Sequence, residues 1–562
     1  MVERCSKIPV VNLKKTKIKS SFPDYSLSKI LDNIPFLGLD IEGIEDDIVR
    51  IEYNPNRPDF STDLGIFRSL KGFLNKELGI PKFDYSISSH YKIEVDKSVK
   101  KIRPYILFFV AKNKEINQDL MEQIISMQED LHNGIGRGRR KASIGIHDLN
   151  KMKFPLRYST SDKEREFIPL DESNRYSLNQ ILDILPKGKK YRHLIKDFKK
   201  YPILVDQNND IVSFPPIINS ERTKVTLETQ NLLVEVTATD LEIARNIISI
   251  LFCYFYDENF KIISGPVSEY RTKTFFPLKK LTNKFVRVKE DYINSILGLN
   301  LSTHEIISSL KKVRIDAIKL KNKELKCIIP QYRTDIRNPI DVVEEVSLGY
   351  GIYNLEPNLP SFKISAGIED PVSEFFRELR KTIIGFGFQE VLNFSLVDQK
   401  GIEIEETYNE KNNHLLKVHE SKSSEHEFLR ASLIPSLMKN LSHNIHEEYP
   451  QKIFEIGKIF RIDENMTEKW NLALSISSNN TDFTQIRSLL RSIFKITFDK
   501  EIQTKPLKHI LFINGRSANV FFQDHNIGII GEVSPKIISD YNIRVPISIL
   551  EIDLSEIIKD IK

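Results

Sequence analysis

A chain of 562 residues with 40% hydrophobic and 28% charged residues has room for about three to five soluble domains and excludes a disordered or fibrous polypeptide. Its net charge of +5 is too mild to establish nucleic-acid binding, so any RNA contact has to come from local basic patches. Three cysteines, Cys5, Cys253 and Cys327, lie far apart with no CxxC pair, which argues against a zinc knuckle or a disulfide framework and fits a reducing cytoplasm.

The N-terminus lacks the continuous apolar stretch of a secretory signal. The first module is expected over residues 1–88. In it the proline-fixed loop Asn54-Pro55-Asn56-Arg57-Pro58-Asp59 leads into an apolar periodic helix from Leu64 to Leu74, with Asp59 or Ser61 as the expected cap.

The second module is expected over 89–268. Tyr105–Ala111 reads as a strand, Leu120–Leu131 as a helix, and Ala142–Asp148 follows a glycine- and arginine-rich stretch from His132 to Lys141. Leu232–Thr239 alternates as a strand. Thr239-Asp240-Leu241-Glu242 then matches a capping box before an apolar helix to about Tyr256. The longest apolar run, near Ile247–Tyr256, is about half of the ~20 residues that span a bilayer, so a buried helix accounts for it and no membrane role is expected. A third, smaller module over 269–357 ends in a run of acids, and a fourth over 358–562 alternates helices and strands. The fold class expected is α+β multidomain, with mixed helix and sheet modules.

The acidic run is the clearest constellation. Pro339 suits the first turn of a helix, and Asp341, Glu344 and Glu345 then stand at i, i+3 and i+4 on one face, with Asp335 just upstream in extended chain able to fold back toward it. All-oxygen ligands suit Mg²⁺. Acids in a first turn also complement the helix dipole without any metal, so spacing leaves both readings open.

On the Leu232–Thr239 strand, Glu235 and Thr237 point one way while Val234, Val236 and Ala238 point the other. That pattern makes either a polar pocket or a solvated sheet face, and spacing alone favours the solvated face. Gly134-Ile135-Gly136-Arg137-Gly138-Arg139-Arg140-Lys141 follows a helix and precedes a strand, the reverse of a dinucleotide fingerprint. It reads as a basic loop, fit for phosphate contact or simply solvated. His147 and Asp148 are strand neighbours on opposite faces and so do not form a dyad.

Taken in order, Asn56-Arg57-Pro58-Asp59, Arg103-Pro104-Tyr105, Ile144-Gly145-Ile146-His147-Asp148-Leu149, Pro215-Pro216-Ile217-Ile218-Asn219, Arg333 through Val346, Leu429-Arg430-Ala431-Ser432-Leu433 and Gly531-Glu532-Val533-Ser534-Pro535 resemble the β subunit of phenylalanine–tRNA ligase in its archaeal/eukaryotic form. The resemblance covers nearly the whole chain. It implies a magnesium site at Asp335, Asp341, Glu344 and Glu345, shared with an α subunit. It also implies an editing pocket for tyrosine misattached to the phenylalanine tRNA, lined by Ser213, Glu235 and Thr237, with His132 and Asp148 near its rim and Arg137, Arg139 and Arg140 toward the tRNA. It implies a C-terminal antiparallel-sheet domain like a class II synthetase but catalytically silent, because Phe460-Arg461-Ile462-Asp463 only loosely matches one ATP-binding motif and a second is not recognisable. Aminoacylation with ATP then falls to the α subunit, in a complex expected to hold two α and two β chains. The alternative is a non-enzymatic scaffold and tRNA-binding subunit with an inactive editing pocket. The modules expected in the bacterial form at either end are not recognisable.

Overall fold

The computed structural model describes residues 9–269, 272–275, 284–357, 359, 366–398, 416–419, 421, 423–462 and 465–559; Cys5 and Asp463 lie outside them. The chain divides into two compact units, residues 1–359 and 360–562.

The first unit opens with a three-stranded antiparallel sheet, Val10–Lys14, Ile48–Glu52 and Asp40–Glu45 in that spatial order. The helix Asp63–Phe73 packs into the same core. Its cap is Thr62, which accepts the Gly65 N–H at 3.2 Å, and neither Asp59 nor Ser61 as expected. Asp59 is instead clamped by Arg57 in a two-point ion pair at 2.9 and 2.8 Å. Gly65 approaches so closely that a Cβ there would sit 1.8 Å from the Asp59 carbonyl oxygen.

The middle of this unit is a pair of stacked sheets. One has five strands in the order Ser86–Ile87, Lys261–Ser264, Tyr105–Lys112, Leu232–Ala238, Ala142–Asp148. The other has seven, with Tyr201–Val205 and Ile211–Phe214 toward one end. The helices Gln118–Asn133 and Leu241–Asp257 cover one face of the five-stranded sheet through Val234, Val236, Ala238, Ile247 and Phe252. The opposite face meets the second sheet through Ile106, Phe108, Leu156, Leu204 and Leu233. Leu232–Ala238 is therefore buried on both faces and paired with a strand on each side, which is why every residue of it is inaccessible. The helix that follows is capped by Asp240, whose carboxylate accepts from the Glu242 and Ile243 N–H groups. The expected box from Thr239 does not form, because the Thr239 hydroxyl ties back to the carbonyls of Arg140 and Lys141. Among the described residues no helix is long and apolar enough to cross a membrane.

The last module of this unit sets helices Thr303–Lys312 and Pro339–Tyr350 against a three-stranded sheet.

The second unit is built on a seven-stranded sheet in the order Gln389–Glu390, Gln451–Ile462, Met466–Ser477, Ile547–Asp553, His525–Val533, Phe512–Phe522, Gln503–Pro506, with only the first pair parallel. Helices Pro371–Gly385 and Phe483–Phe498 fill one face, while Ile434–His443 and Pro535–Asp540 lie on the other. The molecule is thus a mixed α/β multidomain protein.

Candidate functional site

Strand register places the candidate side chains. Glu235 lies opposite Gly145, Thr237 opposite Ser143, and Leu233 opposite His147, so Ser143, Gly145 and His147 share a face with Glu235 and Thr237. This face looks toward the second sheet and not toward solvent. Glu235 is 2% exposed and Thr237 0%, which overturns the solvated-face reading. The reason is the stacked second sheet, which strand periodicity cannot reveal.

Between this face, the helix Gln118–Asn133 and the segment Ser213–Asn219 lies a cavity of about 360 Å³. That is within the roughly 300–1,000 Å³ of small-molecule pockets. Ser213, Asn219, Ser143, Thr223 and Glu235 are among its polar lining residues, together with charged Glu129, Arg139, Asp171, Lys187 and Lys224, and Ile144, Ile146, Phe214 and Ile217 are among the apolar walls.

Glu235 lines the cavity, and its Oε1 is 4.0 Å from Nε2 of His147, which is outside the lining. Glu235 Oε2 and His147 Nε2 are both buried and unpartnered. His147 Nδ1 is 3.0 Å from the Thr223 hydroxyl, which has the Ser220 carbonyl 3.3 Å away. Which of the hydroxyl and Nδ1 donates to the other depends on the imidazole tautomer. Gly145 makes the approach of this ring to the Glu235 carboxylate possible, since a Cβ there would lie 2.3 Å from Glu235 Oε1 and 2.7 Å from His147 Nε2.

The other residues singled out from the sequence separate into groups. Ser213 lines the cavity, with its hydroxyl donating to Asn219 Oδ1 at 3.1 Å. Thr237 sits behind the lining, 2.9 Å from the Ser143 hydroxyl, and accepts from Arg103 Nε at 3.0 Å. Burial pulls that guanidinium down to about 10. His132 is outside the lining: its Nε2 accepts the Ile144 N–H at 2.8 Å, and Nδ1 faces Glu129. Burial lowers its pKa to about 4 despite that carboxylate. Asp148 is also elsewhere, accepting from the Asn150 N–H at 2.9 Å and the Thr229 hydroxyl at 3.1 Å.

Arg139 is buried and spends its guanidinium on the Ile217 carbonyl at 2.9 Å and Glu129 at 3.0 Å, stapling the proline segment to the helix; Arg137 and Arg140 are exposed. His147 is the residue that sequence reasoning passed over. It was set aside as a partner for Asp148, whereas two-residue periodicity places it with Gly145 and opposite Leu233, on the Glu235 side.

The acidic segment behaves differently. Arg333 bridges Asp335, at 3.0 and 2.6 Å, and Glu345, at 3.0 Å and a shorter second contact. Asp335 does fold back toward the helix, but onto this arginine. Burial alone would raise the Asp335 carboxyl, and Arg333, with Arg57 beyond it, holds it at about 2. Asp341 Oδ2 accepts the Arg337 and Asn338 N–H groups, both at 2.7 Å, so it closes the helix start. Glu344 is exposed. Its carboxyl is raised, by desolvation first and then by the Glu345 and Asp335 carboxylates. The oxygen donors suit a hard cation, yet two carboxylates are held by a guanidinium and one by backbone. Among the described residues no three His, Cys, Asp or Glu side chains are placed to hold a metal ion, so these four do not fit magnesium as arranged.

The B3/4 domain model matches residues 89–250, which contain this cavity, and the tRNA synthetase B5 domain model matches 286–352, which contain the acidic segment. The phenylalanyl tRNA synthetase beta chain CLM domain model matches 355–554. The phenylalanine–tRNA ligase beta subunit of Archaeoglobus fulgidus is 37% identical over 527 residues, 94% of each chain. The chain belongs to the phenylalanine–tRNA ligase β-subunit family. Beta subunits from Methanococcus aeolicus, 35% identical over 97% of this chain and 100% of that one, and from Borreliella burgdorferi, 34% identical over 97% and 98%, are similar along their length. The crystal structure of an N-terminal fragment of the Pyrococcus horikoshii phenylalanyl-tRNA synthetase beta subunit superposes with a TM-score of 0.57 at 29% identity, covering 61% of this chain and 99% of that one.

Proposed function

We propose that this chain works as the β subunit of a phenylalanine–tRNA ligase and that its cavity hydrolyses tyrosine wrongly esterified to the phenylalanine tRNA. The observation that carries the editing assignment is the buried carboxylate oxygen Glu235 Oε2 on the cavity lining, which has no hydrogen-bond partner, with His147 Nε2 likewise unpartnered nearby. A pocket shaped for phenylalanine rejects one added hydroxyl only weakly. A site built to bind that hydroxyl discriminates against the molecule lacking it by about four to five orders of magnitude. The tyrosine phenol donates its one proton to Glu235 Oε2; a phenylalanine ring leaves that acceptor dry and unpaired, which is costly.

In the hydrolysis water adds to the ester carbonyl and the ester C–O bond breaks. Tyrosine leaves as the free acid, and the tRNA recovers its terminal hydroxyl. The Ser213 hydroxyl is committed to Asn219, so water serves as the attacking group and Ser213 and Asn219 orient the ester. Thr237 acts through Ser143, holding the strand pair beside the cavity. The exposed guanidiniums of Arg137 and Arg140 are suited to tRNA phosphates.

The test is deacylation of tyrosyl-tRNA by the complex with the α subunit. Glu235→Ala is expected to slow it by about 100-fold or more while leaving phenylalanylation unchanged. Equal deacylation by both proteins removes the assignment and leaves a scaffold with an inactive pocket.

Family membership supports the remaining parts of the proposal. The α subunit carries ATP-dependent aminoacylation in a cytoplasmic complex of two α and two β chains, and residues 360–562 are a silent relative of class II synthetase domains. Magnesium at Asp335, Asp341, Glu344 and Glu345 would require Arg333 to release two of them on assembly. Co-purification with a second chain bearing intact ATP-binding motifs, with the mass of the complex, tests the assembly.

A further inference from the structure

A tyrosyl ester brings two polar groups to the cavity of the first unit. One is the phenol. The other is an ammonium group, on the carbon that also bears the ester carbonyl. An ammonium group drawn out of water needs an acceptor, and a carboxylate is the strongest available. Among the described residues three carboxylates line the cavity, Glu129, Asp171 and Glu235. The editing assignment gives Glu235 to the phenol, which leaves two for the ammonium.

Glu129 stands on the helix Gln118–Asn133, and two donors fix its position. His132 Nε2 accepts the Ile144 N–H, so the neutral ring carries its proton on Nδ1 and offers it to Glu129 Oε1, 3.3 Å away. Arg139 Nη2 donates to the same oxygen at 3.0 Å. The hydrogen bond from His132, with the Arg139 guanidinium, holds the Glu129 carboxyl at about 2 against the pull of burial, so it is ionised at neutral pH. Its other oxygen, Oε2, takes no hydrogen bond among the described residues, and the side chain is 45% exposed. Arg139 also donates to the Pro216 and Ile217 carbonyls at 3.3 and 2.9 Å. It thereby ties Glu129 to the segment that carries Ser213 and Asn219, the side chains assigned to the ester. Asp171 is the poorer acceptor, because its Oδ1 is paired with Lys224 at 2.7 Å and its side chain is 64% exposed to water.

We propose that Glu129 accepts the α-ammonium of the esterified amino acid through its free Oε2, and so determines specificity for esters that carry an unblocked amine. The proposal rests on the editing assignment and adds a second selection to it: Glu235 reads the side chain and Glu129 reads the amine. Esters whose α-nitrogen is missing or acylated lose this contact and are cleaved slowly. No covalent step is added, and the attacking water and the breaking C–O bond are those of the hydrolysis already described.

Deacylation by the complex with its α subunit tests it, with two substrates in separate arms. One is tyrosyl-tRNA, and the other is the tRNA ester of p-hydroxyphenylpropionate, which lacks only the amine. Wild type is compared with Glu129→Gln and Asp171→Asn. Glutamine keeps an oxygen for His132 and Arg139, and the rate on the amine-free ester reports on the integrity of each variant. In Glu129→Gln, kcat/KM for tyrosyl-tRNA is expected to fall by about tenfold or more, the worth of a charge-assisted hydrogen bond, with the amine-free ester unchanged. In Asp171→Asn neither rate should change. An equal fall on both esters in Glu129→Gln makes Glu129 structural and overturns the proposal, and so does an unchanged rate on both. A fall confined to tyrosyl-tRNA in Asp171→Asn but not in Glu129→Gln overturns it by moving the ammonium to Asp171. A wild type that cleaves tyrosyl-tRNA no faster than buffer does overturns the editing assignment itself and the proposal with it, a result distinct from all the others.

Discussion

The Glu235 cavity and the Asp335–Glu345 segment both bury carboxylates, and they hold them in opposite ways. At Glu235 one oxygen has no partner, and the nearest ring nitrogen, 4.0 Å away, is also unpartnered. At Asp335 and Glu345 the oxygens are taken by Arg333. Burial penalises a charge in both places, so the unpaired carboxylate is poised for an incoming donor while the paired ones are spent on structure. A carboxylate in a sequence is thus a candidate ligand only until its counter-ion is known.

The largest effect expected from this contrast is at Arg333. Arg333→Met leaves Asp335 and Glu345 buried without a cation and should cost about 3–5 kcal/mol of stability, read from urea unfolding of the complex. A loss below about 1 kcal/mol would mean that the two carboxylates find another cation, and the contrast would fail.

Next comes pH. His132 has a folded pKa near 4, below its ordinary 6.5, because it is buried. Between those values the unfolded chain binds the extra proton, so stability present above pH 6.5 is lost as pH falls toward 4, by roughly 3 kcal/mol. The Asp335–Arg333 pair is unaffected in that window, since the Asp335 carboxyl stays ionised down to about 2. Unfolding midpoints at pH 7 and 4.5 should differ in the wild type and converge in His132→Gln.

Gly145→Ala drives a Cβ into the Glu235 carboxylate and the His147 ring, and overpacking of this kind costs about 1–3 kcal/mol. Its sharper signature is kinetic: tyrosyl-tRNA deacylation should fall at least as far as in Glu235→Ala, with phenylalanylation retained. The smallest effect is at Glu235 itself. Glu235→Gln breaks no ion pair shorter than 4.0 Å and should shift stability by less than about 1 kcal/mol, so a large loss there would show the carboxylate to be structural.

Much of the architecture was legible in the sequence. The strands at Tyr105–Lys112 and Ala142–Asp148 and the helix at Gln118–Asn133 follow from local apolar periodicity, which depends only on neighbours along the chain. Helix caps were less legible. Thr62 and Asp240 took the roles expected of Asp59 or Ser61 and of Thr239, because Arg57 claims Asp59 and two carbonyls claim the Thr239 hydroxyl.

The sequence by itself determined that Glu235 and Thr237 share a strand face, that Asp341 opens a helix, and, through ordered motifs, which family the chain resembles. Only the tertiary structure decided that a second sheet covers that face and makes it a cavity floor. It also decided that His147 comes within 4.0 Å of Glu235, and that Arg333 reaches across from a loop to claim Asp335 and Glu345. Periodicity assigns a side chain to a face. What lies opposite that face, and which charge comes to meet it, depends on residues distant in the chain, as the 12-residue span from Arg333 to Glu345 and the 90-residue span from Gly145 to Glu235 illustrate.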